Sequence, residues 1–445
     1  MWRLFYSAIF HLCLPLVLAR LWWRGRTEPG YRQNIGERFG TNSSHAHTAD
    51  GKPNVMWIHA VSVGEVRAAM PLVAQLSEAY PRHKILVTVM TPTGRRTAHE
   101  LFGPDVGVAY LPYDLTWAVR RLVNRVNPAA LIIMETELWP NLIAVARGCR
   151  VPCFLVNARL SEKSYRRYMK FAPVRTIASN ALKDLSMILA QSSSDQARFR
   201  ALGASSVAVT GNMKFDLTLD TVAIALGLAW REALNTLSTR DVIVIGSTRE
   251  GEELMLAAEF INFNLQSQKP LLVIVPRHPS RFDDVYLQLQ TLLANKQLSV
   301  MRRSQCLSIE AGLDDGNASG SLANVDILLG DSMGEMQAYY AMSDVAIIGG
   351  SFQPFGGQNL IEACALGKPV IIGPSTFNFC DAVALAIAAN ALSQVADSKA
   401  AIHAAFGLLA DKSRLVAMGE NANIFASAHR GATARTMARL TAKIS

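Results

Sequence analysis

Several features are scarce in this chain of 445 residues, and each scarcity excludes a class of protein. Cysteine occurs only 6 times, too seldom for a secreted scaffold held by disulfides. Charged residues make up 18% and hydrophobic ones 50%, which excludes a disordered chain. Long apolar runs are missing except at the very start, so the chain is no multi-span transporter. Neither G-x-x-x-x-G-K-[ST] nor a strand-following G-x-G-x-x-G occurs, which removes the P-loop and the dinucleotide fingerprint. An Asp-x-Asp is also missing, and with it the usual carboxylate pair that bridges a metal to a nucleotide. Cys149 and Cys153 have no paired His or Cys neighbours and read as buried thiols rather than zinc ligands.

What is present starts with length and charge. The length suits two or three domains with a sizeable core. Lys and Arg number 44 against 35 Asp and Glu, and the net charge of +9 favours an anionic partner. Nucleic acid, a membrane face and a phosphorylated substrate all qualify. The first lacks interleaved aromatics and any known module.

Leu4 to Ala19 is apolar apart from Ser7 and His11, and it carries Pro15. The run is slightly short for a spanning helix, which needs about 20 residues. Arg20, Arg24, Arg26, Arg32 and Arg38 follow, with Trp22 and Trp23 among them, where a signal peptide would place small residues for cleavage. A retained anchor fits better, since Trp suits the interface and Arg suits anionic cytoplasmic headgroups. A buried amphipathic helix is the competing reading.

After the polar stretch Thr41 to Pro53, short apolar runs alternate with longer amphipathic ones. Strands are expected at Val55–Ser62, Lys84–Thr91, Val106–Asp114, Ala129–Glu137, Val151–Ala158 and Leu185–Gln191. The rhythm pauses at Gly211–Asp220. It resumes with strands at Val242–Gly246, Leu271–Val275, Ser299–Arg302, Asp326–Gly330, Asp344–Ile348 and Pro369–Ile372. Continuous apolar strands separated by helices predict two doubly wound parallel sheets, each covered on both faces. Two such domains would face a cleft with the carboxyl ends of their strands, where ligands bind. The residues after each strand therefore matter most.

Strand one runs into Ser62-Val-Gly64-Glu65, with Glu65 expected as the first helical residue. A first-turn carboxylate is stabilised by the helix dipole, so it should be ionised and exposed. It suits a general base, and equally an ordinary first-turn Glu. Arg95 and Arg96 follow strand two. Glu135 and Glu137 end strand four on one strand face, either paired with Arg or part of a site. Lys163, Arg166, Arg167, Lys170, Arg120, Arg121 and Arg125 form further basic clusters. Each alone reads as a solvated helix face, and together they suit an anionic acceptor on a membrane. In the second half the segments Gly246–Glu252, Pro276–Arg281, Gly330–Glu335 and Gly349–Asn359 follow strands. Glycine-rich turns let backbone N–H groups approach a phosphate, although any one of them could be an ordinary turn. A nucleotide-activated donor and an anionic acceptor fit this pattern, and spacing alone does not name the donor.

Taken together, the runs Trp57–Glu65, Glu135–Asn141, Arg277-His278-Pro279, Gly330–Glu335, Gly349–Asn359 and Asn34–Gly40 resemble the 3-deoxy-D-manno-octulosonic acid (Kdo) transferases of lipid A synthesis. The resemblance covers nearly the whole chain and leaves only Cys149–Arg150 and Gly312–Ala323 without a pattern. It implies a GT-B glycosyltransferase with two Rossmann-like domains facing a central cleft and an N-terminal membrane anchor. The implied segments are an anchor at 1–26, an acceptor-binding domain at 27–215 and a CMP-sugar-binding domain at 216–445, whose last helix can cross back to the first. The implied reaction is inverting, metal-independent transfer of Kdo from CMP-Kdo to the precursor lipid IVA, without cofactor, at the cytoplasmic face of the inner membrane. Glu65 would be the catalytic base. Ser62, Gly64, Arg95, Arg96 and Glu137 would serve the acceptor side. Ser247, Arg277, His278, Gly334, Glu335, Asn359 and Glu362 would bind CMP-Kdo. The nearest rival reading is another GT-B enzyme, such as a UDP-sugar transferase or epimerase.

Overall fold

Apolar runs with no polar face to turn toward water need cover on both sides, and here they form two parallel sheets. The computed structural model describes residues 2–41, 54–237, 239–264, 270–294, 296, 298–305 and 325–444. The polar stretch beyond Thr41 and the stretch at 312–323 lie outside the described residues. The chain divides into unit 1, Met1–Asp216 with His429–Ser445, and unit 2, Leu217–Ala428.

Unit 1 holds β1 (Val55–His59), β2 (Lys84–Val89), β3 (Val106–Tyr110), β4 (Pro128–Met134), β5 (Cys153–Ala158), β6 (Met187–Ala190) and β7 (Val207–Val209). Its helices include α1 (Trp2–Arg24), α2 (Val63–Ala79), α3 (Pro92–Phe102), α4 (Thr116–Val126) and α5 (Pro140–Gly148). The strand order is β3-β2-β1-β4-β5-β6-β7, parallel throughout. Side chains alternate between faces along each strand. Trp57, Leu131 and Ile133 pack in the core on one face, and Met56, Ile58 and Ile132 in the core on the other.

Unit 2 repeats the plan with β8 (Val242–Thr248), β9 (Leu271–Pro276), β10 (Val300–Arg302), β11 (Ile327–Leu329), β12 (Val345–Ile348), β13 (Val370–Ile372) and β14 (Leu392–Gln394). Its order is β10-β11-β9-β8-β12-β13-β14, again all parallel. In each sheet the winding direction switches beside the first strand, between β1 and β4 and between β8 and β12. A crevice opens outside the carboxyl ends at such a switch point, because the flanking connections leave in opposite directions.

Sequence and structure differ in places that bear on the site. The edge strands β7 and β14, of three residues each, escape the sequence reading, β14 because Leu392 is its only apolar residue. β4 stops at Met134, and Glu135 turns the chain with φ +55°, so Glu135 and Glu137 belong to a turn and share no strand face. At the start of the chain, α1 is longer than its apolar run, at 23 residues or about 35 Å. Among the described residues it is the one helix long and apolar enough to cross a membrane. Phe10, Leu14, Val17 and Leu18 rest on Tyr113, Leu115 and Ala118 of unit 1. Leu4, Phe5, Ile9, Leu12 and Leu16, on the other side, stay exposed.

Candidate active site

In unit 1 the switch point gathers carboxylates. Ser62 is the N-cap of α2 and Glu65 the third helical residue, the spacing of a capping box. The Ser62 hydroxyl donates to Glu65 Oε1 at 3.1 Å, and the Val61 amide donates to Oε2 at 2.8 Å. These bonds fold the side chain back over its own turn, leaving Glu65 only 8% exposed. The expected exposed, ionised carboxylate is therefore corrected. Burial, supported by the charges of Glu135 and Glu137, pushes its pKa up to about 8, against the pull of the Val61 and Ser62 hydrogen bonds. Gly64 keeps room beside it, since a Cβ there would meet only the Ser62 hydroxyl, 3.8 Å away.

Glu135 is paired with Lys214 at 3.0 Å. Burial, and then the charge of Glu135, hold Glu137 above the usual carboxylate range. Arg95 is paired: its guanidinium forks onto Glu37 and lies over the Tyr110 ring, while the Glu37 carboxylate also accepts the Tyr110 amide at 2.8 Å. Its neighbour Arg96 is exposed. Arg166 is likewise engaged, with Glu162 at 2.8 Å. The Asn34–Gly40 motif is thus structural at its charged centre, with Arg38 buried against Tyr110 and donating to the Met90 carbonyl at 3.2 Å. No local pattern announces a partner 58 residues away.

In unit 2 the glycine-rich segment behaves differently from the expected cradle of free amides. Glu252 is fully buried and accepts the amides of Gly350 (2.5 Å), Phe352 (2.9 Å) and Gln353 (3.3 Å), besides that of Arg249 (2.9 Å). Gly356 N–H goes to Ser375 Oγ, Gly357 N–H to the Gly350 carbonyl and Gln358 N–H to the Gly349 carbonyl. These amides point inward. Gly349 is required for another reason: a Cβ would lie 2.6 Å from Thr248 Cα, where the loop crosses the end of β8.

A cluster of side-chain cations stands just beyond the ends of β8 and β9. His278 lies in the fields of Arg249, Arg277 and Arg281 and is held below its ordinary pKa, by burial first and then by those charges. Arg249 stacks on Phe355 at 4.4 Å, and Arg281 forks onto the buried Glu253 at 2.6 and 3.0 Å. Arg249 and Arg281 stand in the strand-end segments, but spacing does not reveal that they converge with Arg277 and His278. Glu335 takes hydrogen bonds from Ser332 Oγ at 2.5 Å and Arg303 at 3.3 Å, and Gly334 beside it has φ +84° with open space. Ser247, at φ +58°, sets its hydroxyl 3.7 Å from the Met336 sulfur, next to Glu335 in sequence. The Asn359 amide group donates to Glu362 at 2.9 Å, and its carbonyl oxygen accepts the Ile361 amide at 3.0 Å. Left-handed non-glycine residues at the ends of β4, β5 and β8 (Glu135, Asn157 and Ser247) mark backbone strain at strand ends, as functional sites often do.

Solved structures with this fold include a glycosyltransferase from Rickettsia africae, with a TM-score of 0.56 and 15% identity over 88% of this chain and 98% of that one. Another is the UDP-GlcNAc 2-epimerase from Neisseria meningitidis bound to UDP-GlcNAc, at 0.51 and 15% over 88% and 100%. Residues 318–424 match the family described as glycosyl transferases group 1. The fold is GT-B and the protein is a glycosyltransferase. Residues 33–217 match the family described as 3-deoxy-D-manno-octulosonic-acid transferase. The 3-deoxy-D-manno-octulosonic acid transferase of Bordetella pertussis is 42% identical over 95% of both chains, and that of Haemophilus influenzae 36% identical over 85% of this chain and 84% of its own. The chain belongs to the Kdo transferase family.

Proposed function

We propose that the protein transfers Kdo from CMP-Kdo to lipid IVA with inversion at the anomeric carbon and without a catalytic metal, in keeping with the missing Asp-x-Asp. The observation that carries this reading is Glu65, a buried carboxylate fixed beyond the end of β1 whose pKa burial pushes up to about 8. A base is most effective when its pKa lies near the working pH. Glu65 takes the proton of the acceptor's primary hydroxyl while that oxygen bonds to the anomeric carbon. The bond from that carbon to the CMP phosphate oxygen breaks, and the phosphate leaves with the electron pair. Arg277, His278 and Arg249 stabilise the charge that grows there. Asn359 and Glu362 hold ribose hydroxyls or phosphate, and Ser247, Gly334 and Glu335 complete the donor site. Ser62, Gly64, Glu137 and the exposed Arg96 serve the acceptor, whereas Arg95 acts through Glu37 as structure.

The anchor reading belongs to the same proposal. The exposed apolar side of α1, with Trp22, Trp23 and the arginines that follow, attaches the enzyme to the cytoplasmic face of the inner membrane. Incubation with CMP-Kdo and lipid IVA should yield product heavier by whole Kdo units in mass spectrometry, and no mass shift would overturn the reading. A thermal scan separates the UDP-sugar alternative: CMP should raise Tm and UDP should not.

A further inference from the structure

The turn that carries Glu135 and Glu137 leads into α5, whose N-cap residue Trp139 offers no side-chain cap. The cap comes from far away in sequence. Asp114, buried between β3 and α4, accepts the Leu142 amide on Oδ1 at 2.8 Å and the Asn141 amide on Oδ2 at 3.0 Å. Two exposed N–H groups at a helix start are thereby satisfied by a carboxylate, as an N-cap side chain would do. Asp114 is held in turn by α1. Tyr6 donates its hydroxyl hydrogen to Asp114 Oδ2 at 3.0 Å, and Arg3 adds its charge from the same helix. Ser7 Oγ donates to Asn141 Oδ1 at 3.1 Å and accepts from Nδ2 at 2.9 Å, while that Nδ2 also donates to the Asp114 carbonyl at 2.7 Å.

A helix that only tethers a protein to a lipid surface has no use for such bonds. An apolar side facing lipid and an apolar side facing protein would suffice. Here Ser7 of α1 reaches Asn141 at the start of α5, which begins three residues beyond Glu137, and Tyr6 reaches the Asp114 carboxylate that caps it. The other end of the turn is fixed by the Glu135 amide on the Val156 carbonyl at 2.9 Å. The geometry points to α1 as a positioning element of the acceptor site, in which Tyr6 and Ser7, through Asp114 and Asn141, hold the Glu135–Trp139 turn in register with Glu65. Tyr6 and Ser7 are positioning residues and touch no substrate. The inference rests on the reading of Glu65 and Glu137 as transfer-site groups.

The test uses full-length enzyme with lipid IVA and CMP-Kdo, comparing Tyr6→Phe, Ser7→Ala and the double variant with wild type. Both changes keep the packing volume nearly intact. Expected is a fall in kcat of roughly 10- to 100-fold for the double variant, since small displacements near a reacting centre cost that much, with KM for lipid IVA changed far less. The charged groups facing Glu65 are Glu137 and the Lys214-paired Glu135, so a displaced turn relieves their repulsion. The midpoint of the acid limb of kcat should therefore move to lower pH. Co-sedimentation with anionic vesicles and the rise in Tm with CMP should both stay as in wild type. Unchanged kcat and pH profile in the double variant would overturn the inference. So would a loss of activity that only parallels lost vesicle binding or lost CMP stabilisation. A wild-type enzyme that transfers no Kdo would instead overturn the proposed function.

Discussion

At the scale of single residues, Glu65 shows how a local rule and its setting can disagree. The Ser-x-x-Glu spacing is legible as a capping box, and the helix dipole argues for an ionised side chain. The setting wins, because burial removes water and the Glu135–Glu137 turn, 70 residues later in the chain, brings like charge. No window of sequence contains that encounter. Three outcomes follow from it. Glu65→Gln should lower turnover by roughly 10²–10⁴-fold while CMP still raises Tm, as steady-state rates and thermal scans would show. In wild type, kcat/KM should climb with pH through a midpoint near 8 on its acid limb, because the base must lose its proton to act. Stability has the opposite sign. The folded pKa lies above that of an unfolded carboxylate, so the proton favours folding fully below the ordinary carboxylate range, and this help is lost as pH rises through about 8. Urea unfolding of wild type against Glu65→Gln, measured from pH 5 to 9, should show a gap that moves against wild type as pH rises. A parallel pair of curves would contradict the assignment. Arg95 teaches the complementary lesson. Assigned to the acceptor side by the resemblance, it is paired with Glu37, and Glu37→Gln should cost about 2 kcal/mol in urea unfolding, typical of hydrogen bonds to charged groups.

At the scale of elements, the strands that announce themselves are the ones covered on both faces. Leu271–Val275 and Val345–Ile348 are all apolar, and both lie inside the unit 2 sheet, flanking β8. The missed strands β7 and β14 carry no run of that length, with three residues each and only Leu392 apolar in β14. Loops are harder still. The glycines of Gly349–Gly357 were visible, and their meaning was not, because the deciding partner is the buried Glu252 about a hundred residues earlier. Glycine here lets the chain cross β8 closely, and the amides turn to a carboxylate inside. Glu252→Ala should therefore release this loop, cost on the order of 3 kcal/mol through unsatisfied amides, and abolish the rise in Tm with CMP. Calorimetry with and without CMP reads both effects. Retained CMP stabilisation would show that the loop does not shape the donor site.

At the scale of the whole molecule, the proposed anchoring rests on the charge of +9 and the apolar helix α1 together. Several of the arginines that make up the charge are stacked or paired: Arg26 and Arg32 lie over Trp22, and Arg166 sits on Glu162. Electrostatic attraction to anionic vesicles should accordingly weaken as salt is raised from 0.1 to 1 M, where the screening length falls from about 10 to about 3 Å. The apolar side of α1 is insensitive to screening, so a fraction bound at high salt should remain in co-sedimentation. Complete release would assign attachment to charge alone. The helix also has a place in time. Tyr6 finds its partner 108 residues further along and Ser7 finds its own 134 residues further along. At about 5–20 residues per second of synthesis, α1 waits on the order of ten seconds before Asn141 exists to receive it. The polar bonds that seat α1 on unit 1 therefore form only after the chain has been made through Asn141.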